Sequence, residues 1–295
     1  MAAEFGVSEK TIRRDGQYAE AVDALKAVKP GIEAAIIAGN APPKAAVIEA
    51  ARIVEAQPEM AREILEGKKP EESVRTFNPT NDNIGWAAWS WNPVTGCLYG
   101  CPYCYARDIA MRFTGHFKPE FHPERMDAPG NTRPKSGPGG NRVFVGSMCD
   151  LFGDWVPNDW IHPVIRQAEK HPEWTFLFLT KNPKRYPDFN FPSNCWLGAT
   201  ADRQERVADI EESFARVRAG GTFVSCEPLL EAVRFTRPDL IDWFLIGALS
   251  EGAKKVQPDA RWVADLIAQA TVYGKPWWMK DNLTLVQQSP FDTAR

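Results

Sequence analysis

No apolar run in this sequence approaches the ~18–20 residues needed to cross a bilayer. The opening residues, MAAEFGVSEKTIRRD, lack the apolar stretch of a signal peptide, so a cytoplasmic protein is expected, with no membrane partner. An excess of one charge is also missing. The net charge is −3, which leaves only local basic patches to attract nucleic acid. No glycine-rich G-x-G-x-x-G follows a predicted strand, which argues against a dinucleotide site. No second C-x2-C pair accompanies the one at Cys101 and Cys104, as a four-cysteine zinc site would require.

What is present changes character along the chain. Residues before about 67 are rich in Ala, Glu, Lys and Ile, at helical spacing and with few aromatics. They predict a small all-α domain over 1–68, with helices at about 9–28, 31–38, 43–56 and 59–66 and an interruption of the first at Gly16. Ser8 is its expected cap. The segment GKKPEESVRTFNPTNDN reads as a loop, giving a linker at 69–83. From 84 to 295 apolar strands alternate with amphipathic helices. Strands are expected at 86–91, 142–147, 175–180, 195–200, 222–226, 243–248 and 276–280. Helices are expected at 104–112, 159–170, 203–218 and 258–273, with a single turn at 184–186. Runs such as FLFLT and WFLIG are apolar on both faces, as buried parallel strands require. The fold class is therefore α/β, a partial (β/α)6-type or near-complete β/α barrel, with a flat doubly wound sheet as the alternative.

Six cysteines are present, and three fall within eight residues: Cys97, Cys101 and Cys104 in WNPVTGCLYGCPYCYARDIA. Clustered thiols in a reducing compartment point to metal binding rather than disulfides. The spacing C-x3-C-x2-C follows the first predicted strand and runs into a helix. Three thiolates can hold three corners of an iron–sulfur cube and leave one iron open. Structural zinc is the competing reading, with a fourth ligand from His116, His122 or Cys149.

This motif, with Tyr103 just before its last cysteine, resembles that of the radical S-adenosylmethionine (SAM) superfamily. WNPVTGC, FHPERMDAP, VFVGSMCDLFGDWVP, FLFLTKNPKRY, WLGAT, FVSCEPLL and WMKDNL resemble a phage-associated radical-SAM-like family over about 83–285. The resemblance implies a [4Fe–4S] cluster on Cys97, Cys101 and Cys104, SAM chelated to the open iron, and a reductant such as flavodoxin or ferredoxin. At the front of the chain, AAEFGVSEKTIRRDGQYAEAV resembles the second half of a partition-protein-type helix-turn-helix. Ser8, Lys10, Thr11, Arg13 and Arg14 would then face DNA.

Functional residues of a β/α barrel gather where strands end. Those ends carry Ser147, Cys149 and Asp150; Lys181; Thr200 and Asp202; Cys226 and Glu227; Gly247; and Lys280 with Asn282. The Gly-Gly-Glu segment with which many radical SAM proteins hold the methionine amine is absent. Ser147 and Asp150 are the available substitutes, Thr200, Asp202 and Glu227 suit the ribose or amine, and Gly247 admits the adenine. Tyr103 completes the expected cofactor contacts. Cys149, Cys226 and Lys181 are the catalytic candidates, the cysteines as hydrogen-atom donors. Each has a plainer alternative: an inert buried thiol, a surface charge, or, for Asp202, a helix cap. The long loop 117–141 adds Arg125, Arg133, Lys135 and the adjoining Arg142 as phosphate candidates.

Three functions compete. The first is a radical SAM enzyme acting on nucleic acid or a nucleotide, in repair or modification. The second is the same chemistry on a peptide or small molecule. The third is a DNA-binding metal or redox sensor without enzymatic activity.

Overall fold

A computed structural model describes residues 9–55, 58–66, 75–80, 84–251 and 254–284. The chain divides into two compact units, Met1–Val74 and Arg75–Arg295. The described part of the first contains four helices: α1 Glu9–Leu25, α2 Ile32–Ile37, α3 Lys44–Ile53 and α4 Pro58–Leu65. Val47, Ala50 and Ile53 of α3 recur at helical spacing and pack with Leu25, Ile32, Ala61 and Leu65. Helix α1 runs unbroken through Gly16, where an interruption was expected, because one glycine costs only about 1 kcal/mol. Ser8 lies outside the described residues. The side chains of Lys10, Thr11, Arg13 and Arg14 lie outside those described.

The second unit is built on an eight-stranded sheet whose spatial order follows the chain. Its strands are β1 Asn78–Pro79, β2 Trp89–Trp91, β3 Arg142–Val145, β4 Thr175–Thr180, β5 Cys195–Thr200, β6 Gly221–Cys226, β7 Trp243–Ile246 and β8 Trp277–Met279. β1 pairs antiparallel with β2, and every later neighbouring pair is parallel. This is an α/β unit with a mostly parallel sheet. β1 falls inside the expected linker. Two residues carry no periodicity to read, and Pro79 is tolerated because the strand lies at the sheet edge. Its neighbours 69–74 and 81–83 lie outside the described residues.

Helices α5 Tyr105–Phe113, α6 Asn158–Lys170, α7 Val207–Phe214 and α8 Ala260–Val272 complete the frame. Side-chain alternation sorts the strands into two faces. Phe176 and Phe178 of β4, Leu197 of β5, Val224 of β6 and Phe244 of β7 join Ile161, Ile210 and Leu266 of α6, α7 and α8 in one large core. Leu177, Phe223 and Leu245 turn the other way, onto Phe144 and Trp86.

A doubly wound sheet reverses its strand order and places helices on both faces. Here the order never reverses, and α6, α7 and α8 share one face, so the flat alternative does not describe this sheet. The face without them is concave. Phe144 and Phe223 lie three strands apart, about 14 Å in a flat sheet. Yet one indole, Trp86, lies 4.7 Å from the first ring and 5.9 Å from the second. Trp86 therefore bridges rings from β3 and β6 on this face. Replacing Trp86 with Ala should cost about 3–5 kcal/mol, the usual loss for a buried indole. Urea unfolding followed by far-ultraviolet circular dichroism measures it, and an unchanged midpoint would show that the concave core is held by its other rings alone.

Candidate metal centre

The three cysteines sit on the loop that leaves β2. Val94–Thr95 first pairs with Glu120–Phe121, a short hairpin that ties this loop to the segment after α5. Gly96 then bridges to Cys149, its N–H donating to the Met148 carbonyl at 2.9 Å. Gly96 has φ +85°, and a Cβ there would lie 2.0 Å from the Lys118 oxygen, so glycine alone fits. The Cys97 N–H donates to the Phe117 carbonyl at 3.2 Å. Tyr99 packs edge-on against Trp155, with centroids 4.8 Å apart. Cys104 closes a turn onto the Cys101 carbonyl and caps α5, its sulfur accepting from the Arg107 N–H at 3.4 Å. A helix N-terminus favours a thiolate.

Cys97, Cys101 and Cys104 are all free and half-buried. Burial pushes the Cys97 thiol up to about 11, opposed by a hydrogen bond from the Tyr99 backbone and reinforced by Asp150, Cys104 and Cys101. Metal binding there must displace a firmly held proton. Among the described residues, no three His, Cys, Asp or Glu side chains converge on a single ion. His122 is engaged elsewhere, with Thr95 at 2.8 Å and Glu124 at 3.3 Å. A cube needs no such convergence, because each thiolate takes its own iron. Three separate thiols on one loop suit that donor set.

Asp202, at the end of β5, links this loop to the sheet. Its carboxylate is almost fully buried and accepts from the Tyr103 hydroxyl at 2.6 Å. Lys181, at the end of β4, lies 3.7 Å from the same oxygen, and its ammonium sits 5.6 Å from the centre of the Tyr103 ring. Arg206 bonds the other oxygen. Burial alone would raise this carboxyl, but Lys181, Tyr103 and Arg206 hold it below the usual carboxylate range. Asp202 is thus bound by side chains rather than acting as a helix cap. Beside it lies a cavity of about 260 Å³ lined by Lys181, Thr200, Arg206 and the acids Glu205 and Asp209.

Asp150 behaves in the opposite way. One of its oxygens accepts from the Thr180 hydroxyl at 2.6 Å and the Phe152 N–H at 3.2 Å, the other from the Lys181 N–H at 2.8 Å. Burial still raises its carboxyl. It joins the end of β3 to the end of β4. Ser147 exchanges hydrogen bonds with Asn92, which also accepts from the Met148 N–H, while the Tyr105 hydroxyl donates to the Ser147 carbonyl at 2.7 Å.

Glu227 pairs with Lys280 and accepts from the Asn282 amide at 2.9 Å. Gly247 lies beneath it. Cys226 alternates away from Glu227, and burial raises its thiol within the helix-side core. Cys149 is half-buried beside Gly96. Burial raises it first, then Asp150 and Cys97.

The basic loop divides between the two ends of the sheet. Arg125 donates to the Asn92 carbonyl at 3.0 Å, near the cysteine loop. Lys135 lies over the Trp89 ring at 4.6 Å and Arg142 over Trp243 at 5.3 Å, both where strands begin. Those two cations lie where strands begin, whereas the cysteine loop leaves a strand end. Sequence reasoning missed Asn92, Arg206 and Tyr105. Only Arg206 left a signal, four residues beyond Asp202.

The family model described as a protein of unknown function (DUF5131) matches residues 81–289. No curated protein and no solved structure matches the chain.

The lowered Asp202 carboxyl has a definite consequence for stability. A carboxyl depressed on folding stabilises above its unfolded value and loses that contribution as pH falls through its folded value. Asp202→Asn should therefore lower the unfolding temperature at neutral pH, with the difference from the parent shrinking below the ordinary carboxylate range. Thermal unfolding across pH tests this; a deficit that does not change with pH would assign the loss to packing instead.

Proposed function

We propose that this chain, which belongs to the DUF5131 family, is a radical SAM enzyme. The observation that carries the proposal is the placement of C-x3-C-x2-C. The motif leaves the first parallel strand of a sheet in chain order, and its last cysteine caps the following helix. Cys97, Cys101 and Cys104 would hold the [4Fe–4S] cluster. When bound, cluster and SAM supply one-electron cleavage of the sulfonium to a 5′-deoxyadenosyl radical. Trp86, bridging rings of β3 and β6, supports reading the unit as a partial β/α barrel, open between its edge strands.

The chain's own groups divide the remaining work. Asp202, kept ionised by Lys181 and Arg206, holds the cavity wall in place, and Thr200 and Lys181, which line that cavity, are the groups suited to ribose hydroxyls. Tyr103 sets the loop against that carboxylate. Ser147 and Asn92 offer a hydroxyl and an amide where the Gly-Gly-Glu segment is missing. Asp150 fixes the Lys181 backbone and holds its neighbour Thr180, a supporting role. Cys149, next to Cys97, is better placed than Cys226 for any chemistry at the centre. The proposed substrate is a nucleic acid or nucleotide, with the helical first unit as a DNA contact and flavodoxin or ferredoxin as reductant.

Anaerobic reconstitution should give a brown protein with about four irons per chain. With reductant and SAM it should release 5′-deoxyadenosine. The triple Cys97, Cys101 and Cys104→Ala variant should keep its circular dichroism and lose the iron. Tightly bound zinc without SAM cleavage would overturn the proposal.

A further inference from the structure

We propose that Glu227, Lys280 and Trp278 form a seat for a nucleobase, on the side of the sheet mouth away from Asp202. Calling the occupant the substrate's base rests on the radical SAM reading; the seat itself rests on geometry.

The face follows from register. Trp278 pairs with Leu245, which lies in the concave cluster, and partners across a ladder share a face. The Lys280 N–H donates to the Ile246 carbonyl and so continues the same ladder. Trp278 and Lys280, two residues apart, therefore both face the concavity. Trp86 and Phe223 on this face are buried, but Trp278 is 43% exposed. An uncovered indole is a stacking platform.

Beside that platform, an acceptor and a donor are held in fixed positions. Asn282 is locked in two directions: its side-chain oxygen accepts from the Ala248 N–H at 3.1 Å, and its amide donates to the Ala248 carbonyl at 2.8 Å. That amide also donates to Glu227 Oε1, while Lys280 takes Oε2. Glu227 lies across Gly247, where a Cβ would come within 2.8 Å of its Cγ. Among the described residues Lys280 bonds no side chain but Glu227. A carboxylate can accept about four hydrogen bonds and an ammonium donate three, so both retain capacity. The Glu227 side chain is 23% exposed, and the Tyr105 phenol, on the helix of the cysteine motif, feels its charge.

A flat ring with an N–H next to an acceptor atom on one edge satisfies all three groups. Glu227 would accept the N–H, Lys280 would donate to the neighbouring oxygen or nitrogen, and Trp278 would take the ring face. Every nucleobase presents such an edge when unpaired and unstacked. An amino-acid zwitterion would match the two charges but has no use for the indole. The adenine of SAM shares the chemistry; the commitment here is to a base other than that one.

The test is equilibrium binding of guanosine, adenosine, cytidine and uridine 5′-monophosphates to the full chain, compared with SAM and free glutamate. At least one nucleotide should bind, and Trp278→Leu should weaken it about tenfold, the usual loss of one base stack. Glu227→Gln and Lys280→Gln should alter the order of preference among the bases. For Trp278→Leu, which changes no group assigned to the cofactor, SAM affinity should stay within about twofold, well under the tenfold that 1.4 kcal/mol represents. The inference is overturned if no nucleotide binds or if Trp278→Leu binds nucleotides as the parent does. It is equally overturned if glutamate competes, or if Trp278→Leu loses SAM affinity instead. Glu227→Gln keeps size and hydrogen bonding, and its unfolding temperature separates loss of the seat from loss of the fold. Iron content and SAM cleavage on the same preparations keep the two proposals apart. Nucleotide binding through Trp278 without a cluster sinks only the radical chemistry, whereas SAM cleavage without nucleotide binding sinks only the seat.

Discussion

The buried Asp202 carboxylate is where the cysteine loop meets the sheet, and the arrangement of the mouth depends on it. The loop that carries the three cysteines is costly to order, because each fixed residue gives up about 1–2 kcal/mol of backbone entropy. Here the order is imposed from several sides: the hairpin at Val94–Thr95, the close approach at Gly96, and the Tyr103 hydroxyl on Asp202. Only the last reaches across to β5. Without Lys181 and Arg206, a carboxylate this deeply buried would hold its proton, and the Tyr103 bond would lose its charged acceptor. The cations therefore act on the loop through Asp202.

Sequential parallel order is the second constraint. In a parallel sheet that never reverses, the strand ends that carry polar side chains all open to the same edge. That is how Tyr103, three strands back in the chain from β5, reaches Asp202. Trp86 bridges β3 and β6 on the concave face from a segment that precedes β2. The alternation of Leu177 with Phe176 and Phe178 then decides which residues beyond the strands look inward.

Much of this frame was legible in the sequence. FLFLT and WLGAT lie in strands with the expected bounds because long runs apolar on both faces have few other ways to be buried. Val94–Thr95 and Glu120–Phe121 were not, since pairs of residues show no period. The helix expected over 203–218 begins at Val207, after a 3-10 turn at Gln204–Arg206, and ends at Phe214. Asp202 would have capped the longer helix, but Tyr103, Lys181 and Arg206 claim its oxygens. The shared loop of the three cysteines was readable because they lie within eight residues of one another. The Asp202 group was only half readable: its members come from four strand ends and turns, and nothing local announces that Tyr103 reaches a carboxylate ninety-nine residues away.

Asp150 and Asp202 show why residue type at a strand end underdetermines its role. Both are buried carboxylates beside Lys181, yet burial raises one and the surrounding charges lower the other. Asp150 bonds the Lys181 backbone and feels its ammonium only at a distance, whereas Asp202 pairs with that ammonium directly. A neutral donor offsets part of the cost of burying a carboxylate, whereas a cation can exceed it. Asp150 therefore acts as a strut between strands and Asp202 as an ionised anchor for Tyr103 and the cysteine loop. Glu227 is a third case, paired with one ammonium and one amide and left partly open. Three acids at neighbouring strand ends thus differ in the charge and freedom they bring to one rim, and those differences come from the groups each meets rather than from the acids themselves.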